Sequence, residues 1–214
     1  MLITQLGYGD ITHMLGEVIE IIRKNHDELS RIDAQTGDGD HGVTMVRAMN
    51  KIGETIASHT PGDISSLLGD IAWALMGIDG GATGALYGSL FLGMADAAAG
   101  KIELSGADFA ALMESGLDSI QQQTKARVGD KTLMDALIPA VQAIRKAADA
   151  GQDFPAILQA AAAASRAGAE STRNIPARFG RAKFQGERSI GHLDPGSVSI
   201  ALVFQGFLDG LSKN

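Results

Sequence analysis

The chain contains no cysteine, which excludes disulfides, zinc-thiolate centres and thiol nucleophiles. Aromatic residues make up only 5% of it, and β-branched runs with a period of two are missing, so the usual strand signal is absent. There is no basic excess: 18 Lys and Arg stand against 25 Asp and Glu, for a formal net charge of −7. Nucleic-acid-binding proteins carry basic faces, so no nucleic-acid partner is expected. Apolar stretches such as 86–99 are broken by Gly and Asp and are too short to span a bilayer. The start, Met1-Leu-Ile-Thr-Gln5, has no basic segment followed by an apolar run. A cytoplasmic protein without membrane contact is the expectation. The conventional nucleotide signatures are missing too. Gly37 to Gly42 has the spacing of a phosphate-binding loop, but Val43 stands where the lysine belongs, and no strand carries a Gly-x-Gly-x-x-Gly turn.

What is present is alanine, leucine and repeated helix-start signals. Asp10 precedes the periodic run Ile11, Leu15, Val18, Ile19 and Ile22. Thr60-Pro61-Gly62-Asp63 offers a capping hydroxyl with proline at the first helical position. Ser105-Gly-Ala-Asp108 resembles a capping box with Asp in place of Glu. Asp130, Asp153 and Asp194-Pro195 mark further starts. These signals predict helices over roughly 10–30, 41–57, 62–78, 82–99, 106–124, 131–150, 154–173 and 195–211. The connections are short except 174–194, which favours antiparallel neighbours. No repeat or linker divides the chain, so one all-α domain over residues 1–214 is expected. The alanine run 160–164 reads as a site of close helix packing.

The most informative stretch runs from Asp33 to Thr44, where Asp33, Asp38 and Asp40 fall within a few residues among glycines. Like charges on a glycine-rich loop repel, and ordering them is costly without a counterion. Carboxylate oxygens suit a hard divalent cation, and the spacing is not that of an EF-hand. The pattern points to Mg²⁺ shared with substrate phosphates; a solvated loop in which Asp40 caps the next helix is the alternative. His41, Gly42, Val43 and Thr44 then lie at a helix N-terminus, where backbone N–H groups and a hydroxyl favour anions.

Three further loops carry weaker signals. Asp79-Gly-Gly-Ala-Thr-Gly84 precedes a helix, although Gly-Gly at a helix junction is commonly a plain turn. Val128-Gly-Asp-Lys-Thr132 reads equally well as an Asp cap with a surface Lys131. The long segment 177–196 holds Arg178, Arg181, Lys183 and Arg188 in an acidic protein, and loops of this length are commonly functional. Of the five histidines, His41 and His192 fall in these loops.

These motifs, Asp33-x4-Asp-Gly-Asp-His-Gly42, Gly80-Gly-Ala-Thr-Gly84, Gly129-Asp-Lys-Thr132 and Gly186-Glu-Arg-Ser-Ile-Gly-His-x-Asp-Pro-Gly196, occur in the order seen in the L subunit of dihydroxyacetone kinase. The resemblance covers nearly the whole chain. It implies a barrel of about eight antiparallel helices that binds ADP or ATP through two Mg²⁺ ions. By motif, Asp33, Asp38 and Asp40 would be the metal ligands and the catalytic carboxylates. His41, Gly42, Val43, Thr44, Ala82, Thr83, Thr124, Leu133, Arg181, Asp194, Pro195 and Gly196 would line the nucleotide, with adenine near Thr124 and Leu133. The ketose would sit on a separate K-type subunit. The donor would be free ATP or a phosphotransferase-system protein that rephosphorylates bound ADP, and a homodimer is expected. Related chains imply other ketoses, such as erythrulose, as acceptors. A non-catalytic nucleotide-binding regulatory partner and a Mg²⁺-dependent phosphohydrolase are the readings from other classes.

Overall fold

A computed structural model describes residues 2–78 and 82–212. Among them the chain forms eight α-helices: α1 (Tyr8–Asp33), α2 (His41–Ser58), α3 (Ile64–Met76), α4 (Thr83–Ala97), α5 (Gly106–Gln123), α6 (Met134–Asp149), α7 (Phe154–Ser171) and α8 (Pro195–Ser212). Each expected helix is present. The capping chemistry explains most of the starts. Ser105 and Asp108 form the reciprocal box at α5, with the Ser105 hydroxyl accepting from the Asp108 N–H at 3.2 Å and the Asp108 carboxylate from the Ser105 N–H at 3.0 Å. Asp153 accepts from the Ala156 N–H at 3.2 Å and caps α7.

Three starts differ from expectation. Asp63, not Thr60, caps α3, accepting from the Ser66 N–H at 3.0 Å. Thr60, Pro61 and Gly62 therefore stay in the preceding turn. Asp10 lies inside the first turn of α1 and accepts from the Gly7 N–H at 2.9 Å. α6 begins at Met134 rather than near 131, because Asp135 reaches back to bind the loop ahead of it (below).

The sequence offered no strand, yet Gln5–Gly7 (β1) and Glu103–Ser105 (β2) pair as an antiparallel ribbon, Leu6 opposite Leu104. At three residues each, neither is long enough to show a period. The segment 174–194 is also less irregular than a plain loop: a 3₁₀ turn at Thr172–Asn174 leads into it and another lies within it at Arg181–Ser189.

Each helix packs on its successor, from α1 on α2 to α7 on α8, and α8 returns to pack extensively on α1. Glycine permits that last contact. A Cβ at Gly206 would lie 2.7 Å from Val18 Cα, and one at Gly210 would lie 2.6 Å from Met14 Cα. Side chains from every helix meet in one core, including Met14, Ile22, Met49, Leu67, Phe91, Phe109, Leu137, Phe154 and Phe204. Burying each such side chain is worth about 1.5–3 kcal/mol. Ala161 and Ala162 are buried in α7, as expected of the alanine run. A narrow cavity lined by Leu15, Val18, Met49, Phe91 and Phe204 lies within this core, and its wall is apolar. No helix is long and apolar enough to cross a membrane among the described residues.

Candidate functional site

Asp33 ends α1, and Asp38 and Asp40 lie in the turn that leads to α2. One carboxylate oxygen from each lies within 4.8 Å of the others. The backbone is folded tightly to achieve this: the Gly37 N–H donates to the Asp33 carbonyl at 2.6 Å. A Cβ on Gly37 would fall 2.4 Å from Asp33 Oδ1, so any larger residue there would push the Asp33 carboxylate out of its present position. Gly39 adopts a φ of +79°, the left-handed region that glycine enters without cost.

The alternative, that Asp40 merely caps α2, is not what the structure contains. Asp40 occupies the N-cap position but its side chain makes no capping hydrogen bond. Asp33 takes that role from the other side of the turn, its Oδ2 accepting from the His41 N–H at 3.2 Å. The three carboxylates thus converge, and among the described residues Arg181 pairs with Asp38. The donor set fits a hard divalent ion, being three carboxylate groups with several oxygens free to turn inward.

His41 opens α2 and is half-buried. Burial pushes its imidazole pKa down, against the opposing pull of Asp33 and the Pro195 backbone. Gly42 is buried against α1: an added Cβ would sit 1.9 Å from the His26 carbonyl oxygen. Val43 is exposed and Thr44 is buried. The Thr44 N–H is already committed to the Asp40 carbonyl at 3.0 Å. The N–H groups expected to face an anion therefore reduce to those of Gly42 and Val43, which lie in the first turn where no intrahelical acceptor exists.

A polar relay joins this helix start to two others. His41 Nε2 lies 3.1 Å from Ser199 Oγ, and the Tyr87 hydroxyl lies 3.1 Å from the same oxygen. Ser199 is one turn into α8 and Tyr87 one turn into α4. At the head of α4, Ala82 is exposed and Thr83 half-buried; the other members of that glycine cluster, Asp79, Gly80 and Gly81, lie outside the described residues. Leu133 heads α6 and abuts the head of α8, since a Cβ on Gly196 would be 3.4 Å from Leu133 Cβ. The N-termini of α2, α4, α6 and α8 therefore gather beside the acidic turn. Thr124, the remaining predicted contact, ends α5, where its Oγ1 accepts from the Ala126 N–H at 3.2 Å.

Asp194 caps α8, accepting from the Ser197 N–H at 2.6 Å. Enclosure by surrounding protein pushes its carboxyl up to about 7; the Ser197 N–H opposes the shift, Asp135 and Asp33 add to it, and Lys131 opposes it.

Four residues that hold this end together were not singled out from sequence. Asp135 is fully buried and accepts from the Gly129 N–H at 2.6 Å and the Thr132 N–H at 2.7 Å. Ser199 and Tyr87 form the relay. Thr172 accepts from the Asp194 N–H at 3.0 Å. The Asp135 signal was present as an acid in the first turn of a helix after a glycine turn, but such an acid is usually a surface cap. Lys131 is a correction: a surface lysine was one expectation, and it is buried at 2% exposure. It turns inward because its backbone takes a φ of +60° and three carbonyls receive its ammonium (below).

Comparison with known proteins now places the chain. The DAK2 domain matches residues 35–209. This chain belongs to that family. The ADP-binding subunit of a PEP-dependent dihydroxyacetone kinase from Listeria innocua is 37% identical over 207 residues, covering 94% of each chain. The corresponding ADP-binding subunit from Escherichia coli is 33% identical over 200 residues, covering 94% of this chain and 95% of its own. L-erythrulose 1-kinase from Mycolicibacterium smegmatis is 36% identical over 213 residues, but these are only 36% of that enzyme. The solved dihydroxyacetone kinase of C. freundii in its native form superposes with a TM-score of 0.76 at 25% identity, covering 97% of this chain and 35% of that one. A second structure of the same kinase, in complex with AMP-PNP and Mg²⁺, matches with the same TM-score at 24% identity.

Proposed function

We propose that this chain is the nucleotide-binding, phosphoryl-donor subunit of a dihydroxyacetone kinase, a phosphotransferase whose acceptor is a small ketose held on a separate K-type subunit. The observation that carries this is the meeting of three carboxylates, within 4.8 Å of one another, with the N-termini of α2, α4, α6 and α8. Such a place binds a polyanion together with its cations: helix N-termini present N–H groups and partial positive charge to phosphate, and the acidic turn holds the metal.

Asp33, Asp38 and Asp40 would hold two Mg²⁺ ions, leaving one net positive charge from three carboxylates and two dications to meet the polyphosphate. Magnesium supplies charge neutralisation and alignment of the phosphates. The chain's own residues do the rest. Gly42, Val43, Thr83 and Gly196 bring backbone close to the phosphates. His41, kept largely neutral by burial, holds its ring against Ser199. Arg181, which pairs with Asp38, would offer a guanidinium that can bind phosphate through two N–H groups. Thr124 and Leu133 line the adenine. Phosphoryl transfer needs mainly positioning and charge stabilisation, and this chain contributes both without holding the acceptor.

The 37% and 33% identity to ADP-binding subunits of PEP-dependent dihydroxyacetone kinases supports a bound ADP that a phosphotransferase-system protein rephosphorylates. Free ATP as donor to another ketose, as the erythrulose kinase relative suggests, is the second reading. In either case we infer a cytoplasmic homodimer of single-domain subunits, each a closed antiparallel eight-helix barrel. The cyclic packing order of the helices and the common end shared by the N-termini of α2, α4, α6 and α8 support the barrel.

Mass analysis of what the purified protein releases on denaturation, with exchange against labelled ATP, tests the proposal. Retained ADP that exchanges slowly is the expected result. Rapid exchange would favour ATP as substrate, and no adenine nucleotide binding in the presence of Mg²⁺ would overturn the reading.

A further inference from the structure

The segment between α7 and α8 crosses the end of the ring where the acidic turn lies, and it carries Arg181 to Asp38. Its two ends meet in a neck. The Gly191 N–H donates to the Arg173 carbonyl at 2.7 Å, and Arg173 Nη1 returns a bond to the Gly191 carbonyl at 3.2 Å. The Asp194 N–H donates to Thr172 Oγ1 at 3.0 Å.

In the centre of this neck lies the Lys131 ammonium. Its Nζ donates to the Thr172 carbonyl at 2.6 Å, the His192 carbonyl at 2.5 Å and the Ile175 carbonyl at 3.3 Å. An ammonium has three donors, and all three are used on carbonyls that belong to the crossing segment. No carboxylate forms an ion pair with it among the described residues. Asp194 and Asp135 lie near enough to favour its charge, but their carboxylates bond to backbone N–H groups, so the ammonium's own hydrogen bonds all go to the crossing segment. Its backbone is also in the left-handed region, φ +60°, which costs a non-glycine residue about 1 kcal/mol or more. The loop that carries it is itself held by Asp135 through the Gly129 and Thr132 N–H groups, so the ammonium is fixed to the head of α6.

We propose that Lys131 is a positioning residue for the nucleotide: its ammonium clasps the two ends of the 172–192 segment and so fixes the head of α8 and Arg181 over the acidic turn. This rests on the nucleotide-binding reading above. The clasp joins the three carbonyls to α6, and no substitute without three convergent donors can replace it. Methionine leaves the carbonyls unpaired, and arginine presents a planar fork that cannot point at three of them at once.

The chain's lack of cysteine allows a direct test. Lys131→Cys places a single thiol in the protein. Alkylation of the unfolded variant with 2-bromoethylamine, followed by refolding, regenerates a lysine isostere; 2-bromoethanol gives its uncharged counterpart. ADP binding with saturating Mg²⁺ and Mg²⁺ binding without nucleotide are measured by calorimetry for each form. The expected result is a rise of tenfold or more in the ADP Kd for K131C and its hydroxyethyl form, restoration by the aminoethyl form to within about threefold of wild type, and a Mg²⁺ Kd within about twofold throughout. A general weakening of the fold would move both constants together and would overturn the proposal, as would unchanged ADP affinity in K131C or equal rescue by the uncharged group. If K131C does not refold, Thr172→Val removes only the hydroxyl that receives the Asp194 N–H; a smaller loss of ADP affinity at unchanged Mg²⁺ affinity is expected, and no loss would overturn the neck's role. Failure of the wild type itself to bind ADP would refute the nucleotide reading instead, and the two failures are therefore separable.

Discussion

Substituting Asp40 by Asn separates a metal site from an ordinary capping turn, because the two readings give opposite signs. Asp40 makes no capping hydrogen bond, so an isosteric amide removes charge without removing a bond. In the metal-free protein that charge is unfavourable. With oxygens of the three carboxylates within 4.8 Å of one another, each like-charged pair costs about 0.9 kcal/mol in bulk water and about 3.5 kcal/mol at an effective dielectric constant near 20. Asp38 and Asp40 are exposed, which places the cost toward the lower figure; Arg181 beside Asp38 reduces it further. The favourable interaction of Asp40 with the α2 dipole offsets roughly 0.3–1 kcal/mol. Removing two repulsions should still leave metal-free D40N about 1 kcal/mol more stable than wild type, or roughly 2–4 °C in Tm for a domain of this size.

With Mg²⁺ the order should reverse. Binding stabilises the folded state by RT ln(1 + [L]/Kd), so a 100-fold loss of affinity removes about 2.7 kcal/mol at saturating metal. Differential scanning calorimetry of both proteins, with EDTA and then with millimolar Mg²⁺, reads the two signs in one experiment. A D40N protein less stable than wild type in EDTA, with an undiminished response to Mg²⁺, would refute the metal assignment and restore the capping one.

Other substitutions address the frame and the relay. Gly42→Ala should destabilise the protein by about 3 kcal/mol or more and weaken nucleotide binding, because the new methyl would sit 1.9 Å from the His26 carbonyl oxygen and α2 must shift away from α1; chemical denaturation with a parallel ADP titration checks both. Ser199→Ala leaves His41 Nε2 and the buried Tyr87 hydroxyl without their shared partner, so a loss of about 1–3 kcal/mol in stability is expected from denaturant midpoints. Asp108 gives a pH prediction. Lys101 at 2.6 Å, the Ser105 hydroxyl at 2.6 Å and the Ser105 N–H hold its carboxyl down to about 2. A depressed carboxyl stabilises the fold above its unfolded pKa near 3.9 and loses that contribution as pH falls toward about 2. With the Asp108 side chain 30% exposed, Asp108→Asn should cost about 1–2 kcal/mol at pH 7. The gap between variant and wild type in urea titrations should shrink from pH 4 downward; a gap independent of pH would assign the loss to packing instead.

The helices were legible in the sequence because their starts are encoded locally. Ser105 with Asp108, Asp153, and Asp194 with Pro195 each announce a cap within four residues, and the apolar period of α1 is continuous. The acidic turn was legible for the same reason: Asp33, Asp38 and Asp40 are close in sequence, and their mutual repulsion is visible without coordinates. What could not be read was chemistry set by residues far apart in the chain. The ribbon pairs Leu6 with Leu104 through strands too short to have a period. Lys131 looked like a solvated lysine because its three acceptors lie 41, 44 and 61 residues away and are backbone carbonyls, which leave no trace in side-chain identity. Ser199 and Tyr87 looked like ordinary helix residues because Ser199 meets His41 and Tyr87 from 158 and 112 positions away.

The same distinction explains how the site is built. The groups proposed to meet the metal and phosphates lie in local motifs, each at the mouth of one helix. Of the groups that hold those mouths in register, Lys131, Thr172 and Ser199 act across the fold by hydrogen bonds that span 22 to 158 residues, and Asp135 binds the loop just ahead of it. A substitution of Asp38 or Asp40 should therefore change ligand affinity with little change in fold. One in a holding group should change affinity through displacement of the helix ends, with Mg²⁺ binding alone least affected, because the acidic turn is closed by its own backbone from Asp33 to Gly37. Measuring Mg²⁺ and ADP affinities together across both groups of variants separates direct ligand contacts from the supports that place them.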